Sequence, residues 1–263
     1  MQLTTDISVY QCENHGEDMG LSLRIDIDNP FGYATFFRKV LNKVSLDFNL
    51  IPRWSSLGYL DNAKALRDYL AGNGVPATWF FRNETTPGRR DISTFSRAPF
   101  DLALHAERTD TFENFAAEVR KWTRAMGARP TGFSKHGSGD RKLSRKHVME
   151  YDAEAFIGFG NRAGFEYFSG NGTEYNQGFQ NRGGLVYIPS VFWLDNPTLH
   201  TPGTTLDSVV EFSRENAVVV LVHPIWWGTQ LEVRAQLESL IRKTELQGMR
   251  EQVRHFRETS ASP

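Results

Sequence analysis

Asp26 and Asp28 lie two residues apart at the end of an apolar, alternating segment, Leu21 to Asp28 (LSLRIDID). On a β-strand, residues two apart leave the same face. Two carboxylates side by side repel unless a cation lies between them or one keeps its proton. Asp28-Asn29-Pro30 alone would read as a turn with Asp28 capping it, but Asp26 lies inside the apolar run, where a turn has no use for it. Other polar residues also close predicted strands. His105 ends Asp101 to His105 (DLALH), Lys135 and His136 follow Thr131 to Ser134, and His223 follows Ala217 to Val222 (AVVVLV). Carboxylates and imidazoles are ligands for a divalent metal, and they are also general acids and bases. A single histidine on an apolar strand is ordinarily a satisfied core residue; His105 and His223 gain meaning because they share strand ends with the aspartates. His15, His147, His200 and His255 have no such position and read as surface residues.

The elements that must hold these groups alternate between strand and helix. After Leu21 to Asp28, a helix is predicted over Asp61 to Ala71, capped by Asp61 and stopped by Gly72 and Gly74. Val75 to Phe81 (VPATWFF) is a second strand and Asp101 to His105 a third. A helix over Thr111 to Met126 starts at a capping-box-like Asp110 and Glu113 and ends at Gly127. Thr131 to Ser134 reads as a strand and Leu143 to Tyr151 as a helix. Ala155 to Phe159 and Leu185 to Pro189 read as further strands. Leu206 to Arg214 is helical, Ala217 to Val222 is a buried strand, and Leu231 to about Phe256 is one long final helix. Strands separated by helices imply a parallel sheet with right-handed crossovers. About seven such units fit the length, so the expected fold is a closed or nearly closed α/β barrel. Two stretches break the rhythm: an insertion at about 29–60 and a Gly/Asn/Gln-rich stretch at 160–184, expected to be an extended loop. Long loops in compact domains tend to be functional.

Composition narrows the class. The chain has 263 residues, enough to bury a full core without staples, and one cysteine, Cys12, which excludes an internal disulfide. A formal net charge of −1 argues against a strong general pull toward nucleic acid or anionic membrane, and leaves local basic patches open. The N-terminus lacks a charged segment followed by an apolar core, and the longest apolar run is too short to span a bilayer. The expectation is a cytoplasmic protein without stable membrane insertion. Aromatic residues are 13% of the chain; Phe192, Trp193, Trp226 and Trp227 could line a sugar site, although most of them should serve the core.

The motifs, in order, resemble those of the polysaccharide deacetylases, the NodB-homology or carbohydrate esterase family 4 group. LSLRIDIDNP resembles a first motif of a strand ending in aspartates, and GVPATWFF the strand after the first helix. DLALHAERTD stands at the His-rich second motif, TGFSKHGSG at the third, and LVYIPS with VVVLVHP at the closing part. The resemblance spans about residues 21–224. It implies a distorted (β/α)₇ barrel with one divalent metal ion, usually zinc. Carried over, Asp26 is the base, Asp28 and His105 are metal ligands, and His223 is the acid. Three departures stand out. Ile27 separates aspartates that are adjacent in the family motif, so the division of roles between Asp26 and Asp28 stays open. Thr109 stands where a second histidine is expected. His136 is the preferred third ligand, with Glu107 and Asp110 as alternatives, although Asp110 is better explained as a helix cap. The third motif's arginine is missing, and Lys135 is the candidate to supply its positive charge beside the base.

The activity this implies is hydrolysis of an N-acetyl, or alternatively an O-acetyl, group on a sugar. A cytoplasmic location favours a nucleotide- or lipid-linked precursor of surface polysaccharide, such as lipopolysaccharide O-antigen, over a finished wall polymer. Two other readings compete: a barrel that binds glycans without chemistry, and a metal-dependent amidohydrolase acting on a non-sugar amide.

Overall fold

The computed structural model describes residues 20–28, 35–48, 58, 60–137, 148–196 and 202–260. The strands are β1 (Leu21–Ile27), β2 (Ala77–Phe81), β3 (Phe100–Ala106), β4 (Gly132–Lys135), β5 (Tyr167–Gly172), β6 (Gln180–Arg182), β7 (Leu185–Ser190), β8 (Phe192–Trp193), β9 (Val218–Val222) and β10 (Leu246–Gln247). The helices are α1 (Phe36–Phe48), α2 (Asp61–Gly72), α3 (Arg89–Phe95), α4 (Phe112–Met126), α5 (Ala153–Ala163), α6 (Leu206–Ser213), α7 (Pro224–Thr229), α8 (Leu231–Lys243) and α9 (Met249–Ser260). One sheet runs β6-β7-β5-β4-β3-β2-β1-β9-β8, with β10 added on β1. The pairings are parallel except the β6–β7 hairpin. This is the expected distorted α/β barrel, curled rather than closed by continuous strand pairing.

Strand alternation sorts the side chains into two layers. Leu21, Leu23, Ile25 and Ile27 of β1 join Trp79, Phe81, Leu104, Phe133, Phe168, Val218, Val220 and Val222 in a core shared with helix residues such as Leu66, Phe115 and Leu237. The opposite faces form a second core inside the curl, with Phe80, Ala103, Tyr167, Val186, Ile188, Val219 and Leu221. Met249, Val253 and Phe256 of α9 belong to it, so α9 closes the barrel floor. On this inner face β1 offers no apolar residue; its even positions are Ser22, Arg24, Asp26 and Asp28. Ser22 Oγ donates to Gln252 Oε1 of α9 at 2.8 Å, which anchors the lower end of β1 to the floor.

Arg24 measures the curvature. Its guanidinium donates to Ser169 Oγ (3.0 Å), Gly170 O (2.7 Å) and Asn171 Oδ1 (2.9 Å) of β5. β5 stands four places from β1 in the sheet. In a flat sheet that separation is about 19 Å, beyond an arginine's reach. The contact requires the sheet to wrap round so that β1 and β5 face each other across the interior.

Several boundaries differ from expectation for identifiable reasons. Ala155 to Phe159 is helical, within α5. Asp152 accepts from Ala155 N at 3.1 Å and Gly164 ends the helix at φ 70°; these caps, not the short apolar run between them, decide the conformation. The 160–184 stretch is not an extended loop, since it holds β5 and β6. The long final helix is interrupted: Thr244 is extended, and Leu246 and Gln247 pair with Leu21 and Ser22, below the point at Arg24 where β2 begins to pair. Asp61 is the first residue of α2, whose N-cap is Leu60 with no side-chain cap. Thr111, not Asp110, caps α4, accepting from Asn114 N at 3.2 Å. The predicted helix at Leu143 to Tyr151 lies mostly outside the described residues, and its described end is not helical. Part of the insertion at 29–60 is described, as α1 and the start of the turn into α2.

Gly170 lies at the irregularity in the pairing of β5 with β7, between Ser169 and Gly172. A Cβ there would stand 2.5 Å from Pro189 O and 3.0 Å from Ile188 O, both backbone atoms. Gly170→Ala should therefore destabilise the fold by roughly 1–3 kcal/mol, the usual cost of overpacking, read as a lower urea midpoint.

Candidate active site

The inner face of β1 leads upward from the floor to a cluster of charged groups at the C-terminal ends of β1, β3, β4 and β9. Asp26 is buried and receives Arg24 in a two-pronged pair, Nε to Oδ1 at 2.9 Å and Nη2 to Oδ2 at 2.6 Å. Burial alone would raise the Asp26 carboxyl, but the Arg24 guanidinium paired with it outweighs that and holds the group below its usual range. Two residues on, Asp28 leaves the strand on the same side with its side chain 34% exposed. It is the most open of the cluster's acids.

Three imidazoles surround the Asp28 carboxylate. Its Oδ1 lies 2.9 Å from His105 Nε2 and 3.1 Å from His136 Nδ1, and those two nitrogens are 3.1 Å apart. Its Oδ2 lies 3.2 Å from His223 Nε2. Burial would raise the Asp28 carboxyl, yet His136 and His105 bring it well below the carboxylate range. For His105 burial prevails over Asp26 and Asp28, and its pKa is lowered, which favours the neutral ring. His105 Nδ1 lies 2.6 Å from Ser134 Oγ. With its proton on Nδ1 and directed to Ser134, the ring presents a lone pair at Nε2.

Asp28 Oδ1, His105 Nε2 and His136 Nδ1 thus converge from the ends of β1, β3 and β4, across the intervening β2. Donors bound tetrahedrally to one divalent ion at about 2.0–2.2 Å stand about 3.3–3.6 Å apart, so the three atoms need to spread by only a few tenths of an ångström to hold one. The donor set of one carboxylate and two imidazoles suits zinc and several other transition metals. The residues present therefore fit a divalent ion, with His136 the third member of the set that could hold it. The sequence alternatives are engaged elsewhere: Glu107 accepts from Arg82 at 2.9 Å and Asp110 from Asn114 Nδ2 at 2.8 Å. Arg82 also donates to Asp28 O at 2.6 Å, which holds the end of β1 against the turn after β2.

His223 faces the same carboxylate from the other side. Its Nδ1 donates to Asp195 Oδ2 at 2.6 Å, and the same oxygen accepts from His223 N at 2.7 Å. Burial would lower the imidazole, but Asp195 and then Asp28 overcome it and raise its pKa well above the ordinary value. His223 is therefore disposed to carry a proton at neutral pH. Trp193 packs beside it, ring centroids 5.9 Å apart. Of the other aromatic candidates, Phe192 and Trp227 are core residues, while Trp226 is exposed.

Lys135 does not neutralise Asp26. Its ammonium donates to the carbonyls of His136 (2.7 Å), Gly137 (3.3 Å) and Val148 (2.6 Å), and burial pushes its pKa down to about 8. It pins the backbone after β4, and the cation on Asp26 is Arg24. Sequence reasoning missed both Arg24 and Asp195. Arg24 could have been found from parity, since it shares the inner face with Asp26. Asp195 could have been suspected because Asp-Asn-Pro recurs at 28–30 and 195–197. Of the histidines set aside, His255 is half-buried in α9, and His15, His147 and His200 lie outside the described residues.

If the triad holds the ion, His136→Ala should lower affinity for zinc at least roughly a hundredfold, and Ser134→Ala, one shell out, by roughly 10–100-fold. Asp110→Ala should leave it unchanged. Titration calorimetry on the three variants measures this, and an unchanged affinity in His136→Ala would remove that residue from the ligand set.

No family model matches the chain, and no curated protein matches it in sequence. Solved structures do match. A protein assigned as a polysaccharide deacetylase from Mycobacterium smegmatis superposes with a TM-score of 0.60 at 17% identity, over 95% of this chain and 93% of the other. Another so assigned, from Pseudomonas aeruginosa PAO1, gives 0.59 at 14% identity, over 94% and 95%. The PuuE allantoinase gives 0.60 at 13% identity, covering 100% of both chains. Likeness at such identities is a likeness of fold, and the chain carries the barrel fold common to these polysaccharide deacetylases and this allantoinase.

Proposed function

We propose that the chain is a metal-dependent hydrolase that removes an acetyl group, most simply an N-acetyl group, from a sugar. The observation that carries this reading is the Asp28–His105–His136 donor set standing between a buried carboxylate, Asp26, and an imidazole, His223, that is held at Nδ1 by Asp195. In the proposed site the ion is held by Asp28, His105 and His136, and when bound it polarises the acyl carbonyl and acidifies water.

The protein's own groups supply the proton movements. Asp26 takes a proton from the attacking water, and Arg24 fixes the plane of its carboxylate. Because Arg24 also lowers its basicity, Asp26 suits an acidified water better than a free one. An amine leaves poorly unless protonated, so His223 donates to the departing nitrogen from Nε2. Asp195 keeps Nδ1 occupied, so that the transferable proton is on the side facing Asp28. Trp193 offers an apolar wall beside His223 against which a sugar ring can pack.

A nucleotide- or lipid-linked sugar, such as an O-antigen or lipopolysaccharide precursor, is the substrate class proposed, with a location inside the cell. The second reading, a non-sugar amide, is favoured by the full-length likeness to an allantoinase. The two readings share the same centre and differ in what fills the mouth of the barrel.

Asp26→Asn should keep metal affinity and lose activity by roughly 10²–10⁴-fold in kcat, the usual worth of a general base. Near-normal turnover would remove Asp26 from that role. Asp195→Asn should also lower kcat, by up to about 10⁴-fold, because an amide can hold the ring in the wrong tautomer. Two assays with zinc supplied separate the substrate readings: acetate release from a panel of acetylated amino sugars, and chromatographic detection of the ring-opened or cleaved product from cyclic ureides and other small amides. Turnover of ureides alone would replace the first by the second.

A further inference from the structure

Helix α1 is amphipathic, but its apolar face is turned outward. Phe36 is 83% exposed and Phe37 70%, and Val40, Leu41 and Val44 are also exposed. At 3.6 residues per turn these five side chains fall within an arc of about 140°. They form one continuous face, unlike the scattered apolar residues of an ordinary surface. Arg38 and Lys39, both exposed, lie about 60° beyond either edge of that arc, and the first turn has no acid. The helix has 13 residues, about 20 Å, too short to cross a bilayer. No helix among the described residues is long and apolar enough to do so.

We propose that α1 docks the chain on an anionic lipid surface, lying in the plane of the interface. Phe36, Phe37, Val40, Leu41 and Val44 enter the boundary between headgroups and acyl chains. Arg38 and Lys39 extend along the flanks, their stems in the apolar layer and their charges among the lipid phosphates. This arrangement favours lipid over a second copy. Packing two copies of α1 about a two-fold axis would bring together six cations (Arg38, Lys39 and Lys43 of each copy) and two acids (Asp47 of each), whereas lipid phosphates can meet every cation. α1 also starts eight residues after Asp28. That tether holds its first residue within about 28 Å of the carboxylate, so docking brings the strand-end cluster to the lipid surface. The inference is independent of the chemistry proposed above: loss of docking leaves the hydrolytic reading intact.

The test is co-sedimentation of the full chain with vesicles of phosphatidylcholine, with and without phosphatidylglycerol, at low and high salt. The expected result is binding to the anionic vesicles that weakens as salt rises. Phe36→Ser with Phe37→Ser should weaken binding roughly tenfold or more, and Arg38→Glu with Lys39→Glu should abolish the preference for anionic lipid. These side chains are exposed, so an unchanged circular dichroism spectrum and thermal midpoint should accompany each variant. Absence of wild-type binding to either vesicle, or equal binding by the double-serine variant, overturns the proposal. So does a lipid-free dimer that the double-serine variant converts to monomer, which would assign the face to a second copy.

Discussion

Arg24 is a full positive charge without exposed surface, and burying it is expensive unless several partners meet it at once. Asp26 supplies the counter-charge, while Ser169, Gly170 and Asn171 satisfy the remaining donors. Phe80 lies under the guanidinium, 5.1 Å away at its ring centre. The partners come from opposite sides of the barrel, so the sheet cannot flatten without stranding the charge. Asn171 continues the chain of contacts by donating to Lys135 O at 2.7 Å, and Lys135 holds the backbone after His136. The interior thus links the curvature of the sheet, the orientation of the proposed base and the placement of a proposed metal ligand.

The cluster divides its charges by depth. Asp26 is closed off and paired, and Asp28 is half-open and faces imidazoles. His105 is biased toward the neutral ring by burial, whereas His223 is biased toward the charged ring by Asp195. Imidazoles of opposite inclination on two sides of one carboxylate are what a ligand and a proton donor require of the same residue type. Position along β3 and β9 places both rings. Ser134 and Asp195 distinguish their tasks.

Much of the barrel was legible because parallel strands announce themselves as apolar runs and their C-terminal ends gather polar groups. Asp26, Asp28, His105, His136 and His223 all follow from that rule. What escaped depended on partners distant in sequence. Nothing near Arg24 states that β5 will curl back to receive it, and nothing near Asp195 states that β8 will lie beside β9. Ala155 to Phe159 misled because a short buried run has no clear period. The break in the final helix exists because β1 needs a hydrogen-bonding neighbour below Arg24. Lys135 was read from its charge alone, whereas its ammonium is satisfied by backbone carbonyls.

The pairing of β1 carries a consequence for the order of assembly. This first described strand pairs with β9 and β10 and is anchored at its lower end to α9. On one side β1 pairs with β2, which begins 51 residues after Asp26, but its other long neighbour, β9, begins 192 residues after it. Such long-range closure is slow, and it exposes unpaired strand edges until it is complete. The acidic pair therefore has β2 beside it long before β9 and α9 can close the other side and the lower end of β1.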